Sequence, residues 1–162
     1  MDATSTRPDA FRVFSGKRLI PAEGGCLLYP GRPGKRGYGV VNTGGAGTNK
    51  GYLAHRIAYE LAYGPIPPGM TVDHLCHTRR CVNPEHLRII TPAQNQQNRK
   101  GANRNSKTGH RGVTQRGRKF YARVWANGAE HWGGGFDTAE EAAEFASEMR
   151  RNLMPFSEKD KR

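Results

Sequence analysis

Acidic, apolar and cysteine residues are all scarce in this chain. Asp and Glu number 14 against 26 Lys and Arg, giving a formal net charge of +12. A soluble chain so short of acid meets a polyanion, most commonly a nucleic acid, with an anionic membrane surface as the competing partner. Only 35% of residues are hydrophobic, and no run approaches the roughly 20 apolar residues of a membrane span. No apolar stretch near the start resembles a signal peptide. A cytoplasmic protein without a membrane partner is therefore the expectation. The three cysteines, Cys26, Cys76 and Cys81, are too few and odd in number for a disulfide framework, and point to a metal or a free thiol.

What the chain does have is glycine (21) and proline (10) spread over 162 residues. That length suits one ordinary domain or two small ones, and two small cores need help from a cross-link or a metal. Residues 1–12 are polar and are expected to fray. Residues 13–53 read as loops and short strands around Cys26-Leu27-Leu28-Tyr29 and Tyr38-Gly39-Val40-Val41. Ile57, Ala58 and Leu61 predict a helix over 54–63, stopped by Gly64-Pro65. Thr91-Pro92 opens another, expected to run to about Lys100, because Thr caps and Pro is welcome at the first helical position. Residues 101–110 read as a basic linker.

A second unit follows. Strands are expected over 111–115, 119–126 and 131–136. Phe120, Ala122, Val124 and Ala126 alternate with Tyr121, Arg123 and Trp125. Asn127-Gly128 is a hairpin turn, and Thr138 with Glu141 makes a capping box ahead of a helix. The expected class is α+β, with domains over 13–100 and 111–162.

Six residues within a short stretch carry chemistry: His74, Cys76, Cys81, Asn83, His86 and Asn95. Zinc favours four tetrahedral sulfur and nitrogen ligands. Cys76, Cys81 and His86 supply three, and Cys26 would complete a closed, structural site. Buried free thiols near a surface histidine are the alternative. Phosphodiester hydrolysis needs a base and a cation. His74 suits the base, since it titrates near neutrality. Asp73 and Asn95 offer hard oxygen ligands that suit magnesium.

The string Asp73-His74-Leu75-Cys76 through Cys81-Val82-Asn83-Pro84-Glu85-His86-Leu87, with Gln94-Asn95, resembles the HNH endonucleases of phage genomes, especially their His-Cys box homing-endonuclease relatives. The resemblance covers residues 25–100 and includes Ala54-His55-Arg56-Ile57 and Gly64-Pro65-Ile66-Pro67. It implies a ββα-metal domain with His74 as general base. Asn95, with Asp73 as a second ligand, would hold Mg2+ or another divalent cation. Cys26, Cys76, Cys81 and His86 would hold structural zinc, and Asn83 would brace the hairpin. Arg56 matches an arginine on the cleaved phosphate; its other reading is a solvated charge. His55 and His77 read as surface or packing histidines. The chain lacks the cysteines of a second zinc site that some His-Cys box enzymes carry.

From Arg88 to Arg123 there are ten Lys or Arg residues and no acid. Arginines on a sheet reach phosphates and guanine edges, while aromatics pack on sugars or bases; a plain basic surface is the alternative. Gly109-His110-Arg111-Gly112-Val113, Phe120-Tyr121-Ala122-Arg123-Val124 and Phe136-Asp137-Thr138-Ala139-Glu140-Glu141 resemble the APETALA2-type DNA-binding domain. That resemblance implies a three-stranded sheet docked on double-stranded DNA through Arg111, Arg116, Arg123, Trp125 and Trp132. Arg118 and Tyr121 lie on the same stretch. Glu130 and Gly133-Gly134-Gly135 depart from its usual third strand.

These readings converge on a metal-dependent DNA endonuclease with a C-terminal DNA-binding module. A single ββα-metal site cuts one strand, so cutting both would call for a homodimer or a second encounter. A non-catalytic zinc-containing DNA-binding regulator, an RNA-directed protein and a purely structural zinc protein remain as alternatives.

Overall fold

A chain this rich in Gly and Pro builds short strands, because both residues interrupt ladders. The computed structural model describes residues 8–45, 49–99, 101–157 and 160, and divides into two units, Met1–Pro92 and Ala93–Arg162. The first holds helix α1 (Pro8–Ser15), the antiparallel pair β1 (Ile20–Ala22) and β2 (Cys26–Leu28), and the pair β3 (Val40–Thr43) and β4 (Lys50–Leu53). Helix α2 (Ala54–Tyr63) follows, then the hairpin of β5 (Thr71–His74) and β6 (Leu87–Ile90). Helix α3 (Pro92–Gln97) begins at the boundary between the units. The order β5-β6-α3 is the expected strand–strand–helix run.

The core of the first unit is built on Ile57 and Ala58 of α2, packed with Val41, Val72, Val82 and Leu87. α1 adds Ala10 and Phe14 to it, and the Phe14 ring stacks on Tyr29 at 5.6 Å. The expectation that residues 1–12 fray therefore does not hold for Pro8 onward, while residues 1–7 lie outside the described residues. Ala10 and Phe14 stand four apart on one face, the spacing at which helical side chains share a contact. α2 stops at Gly64, whose φ of 89° favours glycine. α3 ends three residues short of the expected Lys100, itself outside the described residues.

In the second unit, β7 (Val113–Arg116), β8 (Lys119–Ala126) and β9 (Ala129–Phe136) form an antiparallel sheet in that order, backed by α4 (Ala139–Leu153). Asn127 and Gly128 both take positive φ, 54° and 77°, which is the type I′ turn their sequence predicts. The Thr138 hydroxyl accepts from Glu141 N–H while the Glu141 carboxylate accepts from Thr138 N–H, completing the capping box. Ala122, Val124 and Ala126 face Ala146 and Met154 in the core. The glycines of β9 have a steric reason: a Cβ on Gly133 would lie 2.1 Å from the Phe145 ring.

A buried charge network supplements this small core. Arg150, 6% exposed, donates to both Asp160 oxygens, Nε to Oδ2 at 2.9 Å and Nη2 to Oδ1 at 2.7 Å. Arg111 donates to Asp160 at 3.4 Å and to the carbonyls of Arg99 and Gln97 at 2.7 Å each. Burial alone would raise the Asp160 carboxyl, but bonds from Arg150, Ser157 and Ser147 outweigh it and hold it at about 2. Arg111 was expected on the DNA face. It is instead turned inward, its guanidinium taken by these carbonyls and by Asp160. The 101–110 stretch, expected as a linker, bonds into the same unit: the Thr108 hydroxyl donates to the Val113 carbonyl at 3.2 Å.

Removing one partner of a buried ion pair strands the other charge. Asp160→Asn is expected to destabilise the second unit by about 3 kcal/mol in urea titrations. Because the folded carboxyl titrates below its ordinary 3.8, its contribution is complete above that value and lost as pH falls towards 2. The acid-side loss of stability should accordingly flatten in the variant. An unchanged slope would show that Asp160 is not the group responsible.

Candidate active site and metal centre

The site is assembled by pairing β2 with the loop after β5. Tyr29 N–H donates to the Arg80 carbonyl at 2.9 Å and Val82 N–H to the Leu27 carbonyl at 2.7 Å, with a bridge between Leu28 and Cys81. This lays Cys26 beside Cys81. The loop closes on itself through Cys81 N–H to the Thr78 carbonyl at 2.9 Å. A short 3-10 turn over Pro84–His86 then delivers His86. Asn83 braces the join: its Nδ2 donates to the Gly25 carbonyl at 2.8 Å and its Oδ1 accepts from Glu85 N–H at 3.2 Å. It thus ties the residue before Cys26 to the residue before His86. These two bonds hold together the segments that carry Cys26 and His86.

The four ligand atoms of Cys26, Cys76, Cys81 and His86 all lie within 4.8 Å of one another. His86 Nδ1 stands 3.6 Å from Cys26 Sγ and 3.5 Å from Cys81 Sγ. Tetrahedral zinc, with bonds of about 2.3 Å to sulfur and about 2.0–2.1 Å to nitrogen, sets sulfur–nitrogen separations at roughly 3.6 Å. The group can hold a metal, and its donor set suits a soft or borderline ion. None of the three cysteines is in a disulfide. The Cys76 thiol is drawn down to about 4, chiefly by its hydrogen bond with Cys81, whose own proton that bond and burial retain. A thiol lowered so far is ready to ligate as thiolate.

His74 ends β5 and is 6% exposed. Its Nε2 lies 3.0 Å from the Cys81 carbonyl. A carbonyl only accepts, so Nε2 carries the proton and Nδ1 is the basic nitrogen. Burial lowers the His74 pKa, partly opposed by that hydrogen bond. Leu75 N–H to the His86 carbonyl at 2.9 Å fastens the adjoining backbone to the ligand loop.

His55, expected as a surface or packing histidine, is a packing one. It is 4% exposed, and its ring centroid lies 4.8 Å from that of His74. Tyr38 touches both rings, at 5.1 Å from His55 and 6.1 Å from His74. Burial, then the neighbouring His74 and Arg56, push the His55 pKa down to about 3, so it stays neutral. Its position one helical turn before Ala58 was the available signal, since that face of α2 is the buried one.

The remaining expected residues are spread out. Asp73, opposite Arg88 in the hairpin register, accepts from it at 3.1 Å. A cation at Asp73 would compete with that guanidinium. Arg56 is half-buried on α2. Asn95, half-buried on α3, falls in the second unit as the chain divides. On the sheet of that unit, the face away from α4 carries Arg116, Lys119, Tyr121, Arg123, Trp125 and Trp132, as the cross-strand register dictates. Trp125 is 62% exposed and Trp132 41%. Arg118 sits in the Gly117-Arg118 turn between β7 and β8.

Residues 52–97 match the HNH endonuclease family model. The match takes in His55, Arg56, Asp73, His74, Cys76, Cys81, Asn83, His86 and Asn95, leaving Cys26 outside it. The chain is 39% identical over 70 residues to Protein 7.7 of Escherichia phage T7, covering 43% of this chain and 51% of that one. It is 35% identical over 79 residues to Protein 2.8 of the same phage, covering 49% and 52%. It is 46% identical over 44 residues to the uncharacterized gene 5.3 protein of Enterobacteria phage T3, covering 27% and 44%. The chain thus spans about half the length of the curated relatives it matches. No solved structure matches it. Among the described residues, no helix is long and apolar enough to cross a membrane.

A three-sulfur, one-nitrogen site should protect its thiols. The purified chain is expected to bind one zinc per molecule, with all three cysteines inert to a thiol reagent until a chelator is added. Cys26→Ser should weaken metal retention by at least the roughly tenfold that even an outer-shell change costs. Three reactive thiols in metal-loaded protein would show that the cluster is only packing.

Proposed function

We propose that this chain is a metal-dependent DNA endonuclease that cuts phosphodiester bonds with His74 as general base. The single observation that carries this reading is the His74 to Cys81 carbonyl bond at 3.0 Å inside an HNH match. It fixes the tautomer, so that Nδ1 is the nitrogen able to take a proton from water. The water oxygen attacks phosphorus and the bond to the 3′ oxygen breaks, leaving a 5′-phosphate and a 3′-hydroxyl. Burial keeps His74 neutral and thus competent as a base. The rings of His55 and Tyr38 limit the movement of its imidazole. Asp73 and Asn95 would hold a divalent cation, with magnesium the natural choice for hard oxygen donors. When bound, it supplies charge stabilisation at the scissile phosphate. Arg56 would face that phosphate. Cys26, Cys76, Cys81 and His86 would hold zinc in a closed site that organises the loop rather than the chemistry.

The second unit is read as the DNA-binding module, of APETALA2 type. What supports this is a three-stranded antiparallel sheet with a helix behind it and exposed arginine and tryptophan side chains in front. Arg116, Arg118, Tyr121, Arg123, Trp125 and Trp132 are the proposed contacts. Arg111 is withdrawn from that set because it is committed internally. A role akin to homing endonucleases fits a nuclease coupled to such a reader. Cutting both strands would take two copies or two encounters.

The test is plasmid nicking with magnesium and with EDTA, beside His74→Ala whose zinc content is shown to be normal. The variant should lose about a hundredfold in rate or more, as loss of a general base does. Magnesium-independent nicking, or full activity in the variant, would sink the assignment. If nothing is cut, on plasmid or on phage genomic DNA, while salt-sensitive duplex binding persists, the chain is a zinc-containing DNA-binding protein instead. The pH dependence carries a sign. Only neutral His74 accepts a proton and its pKa lies below the ordinary 6.5, so nicking should persist on the acidic side of that value. An acidic limb centred above it would contradict the burial argument.

A further inference from the structure

The outer face of the second unit contains an acid where a polyanion-binding surface has least use for one. Glu130 lies on β9 opposite Trp125, next to the Arg123–Trp132 pair. Both of its oxygens are engaged. Oε1 accepts from Arg123 Nε at 2.9 Å and from its Nη2, while Oε2 accepts from Trp132 Nε1 at 3.2 Å. Trp132 in turn lies under two guanidinium groups, Arg116 at 4.3 Å and Arg123 at 5.4 Å. The result is a fixed cluster in which, among the described residues, Arg123 is the one sheet-face arginine held by a carboxylate.

A carboxylate there repels phosphate and cancels the charge of Arg123. Non-specific attraction to DNA would be stronger without it, because each cation that neutralises a phosphate releases condensed counterions. What Glu130 adds is geometry. A guanidinium has five N–H donors; Nε–H and one Nη2 hydrogen go to Glu130, leaving the other Nη2 hydrogen and the Nη1 pair directed elsewhere. In the major groove a G·C pair offers two guanine acceptors, N7 and O6, beside the cytosine N4 donor. A guanidinium buttressed by a carboxylate is the complementary pattern, donors beside an acceptor. An A·T pair places a donor and an acceptor differently and carries a methyl group.

Resting on the reading of this unit as a DNA-binding module, we propose that Glu130 is a specificity-determining residue that withholds Arg123 from phosphates and presents it, with its own carboxylate, to the major-groove edge of a G·C pair. The contact of Trp132 Nε1 with the same carboxylate holds the pair in register with the rest of the face.

The experiment is duplex binding by fluorescence anisotropy with the full chain and no added divalent cation, so that nothing is cut. Two duplexes of equal length are used, one all G·C and one all A·T, across a range of salt. Wild type should prefer the G·C duplex by about tenfold, within the range of one good bidentate contact. Glu130→Gln, checked for an unchanged circular dichroism spectrum, should lose most of that preference. Its plot of log affinity against log salt should also steepen by about 0.9, one more phosphate neutralised by the released Arg123. A merely structural Glu130 would move neither the slope nor the preference, and that result overturns the proposal. So does a shallower slope in the variant, which would make Arg123 a phosphate contact that Glu130 supports. Absence of any salt-sensitive binding by the wild-type chain would overturn the DNA-binding reading itself, and the proposal with it, whereas loss confined to the Glu130 comparison leaves that reading standing.

Discussion

Cys81 serves two masters, and the first unit depends on that. Its sulfur belongs to the four-atom cluster with Cys26, Cys76 and His86, while its carbonyl receives the His74 Nε2–H bond. The side chain can be drawn into a metal centre only with its backbone, so whatever fixes the cluster fixes the partner of the proposed base. Around this residue the strands are three or four residues long, too short to hold a loop by ladder alone. Asn83 and the pairing of Tyr29 and Val82 with Arg80 and Leu27 complete the clamp. A histidine aimed this way needs no long scaffold, only a loop that cannot slide. That is how a glycine-rich chain with few apolar residues can still present a well-oriented imidazole.

The two units meet the same shortage of apolar residues with different chemistry. The first gathers all three cysteines. The second contains none, and around Ala122, Val124, Ala126, Ala146 and Met154 it sets Arg150, Asp160 and Arg111. Such a network is a poor source of net stability, since desolvation offsets most of the attraction. Its value lies in direction: Arg111 reaches the carbonyls of Gln97 and Arg99, and Arg150 reaches that of Arg111. Backbone segments far apart in sequence are thereby fastened through guanidinium donors, each of which can meet several acceptors at once.

Much of this was legible in the sequence where local chemistry decides. α2, the Asn127-Gly128 turn, the Thr138 capping box and β8 follow from spacing and turn residues alone. The ligand cluster was legible too, because cysteines are so few that a Cys3His set has to use every one. What could not be read was tertiary. α1 is not legible because its apolar pair, Ala10 and Phe14, only has meaning once Tyr29 and the core stand opposite. His55 reads as a packing residue, but nothing in the sequence says that the ring it packs against is that of His74. Arg111 looked like a DNA contact because its partner, Asp160, lies beyond the helix that brings it back. The glycine run of β9 departs from the APETALA2 third strand, and for Gly133 the reason is the Phe145 ring, which the sequence does not place opposite it.

The same point limits what the net charge means. The stretch from Arg88 to Arg123 has no acid of its own, yet folding supplies acids from elsewhere. Asp73 meets Arg88, Asp160 meets Arg111, Asp137 meets Lys119 and Glu130 meets Arg123. Each pairing takes a cation out of the field that a polyanion would feel at long range. Arg116 and Arg118, without a salt bridge among the described residues, keep theirs. Folding therefore narrows the electrostatic footprint below the count of basic residues, and on the sheet the arginines left without a carboxylate lie towards the β7–β8 turn. On the proposed reading of this unit as a DNA-binding module, a face with free charge at one end and buttressed arginine and tryptophan towards the other would serve orientation as well as attraction: the free cations would draw the backbone, and Arg123 would be left to sort what lies between the phosphates.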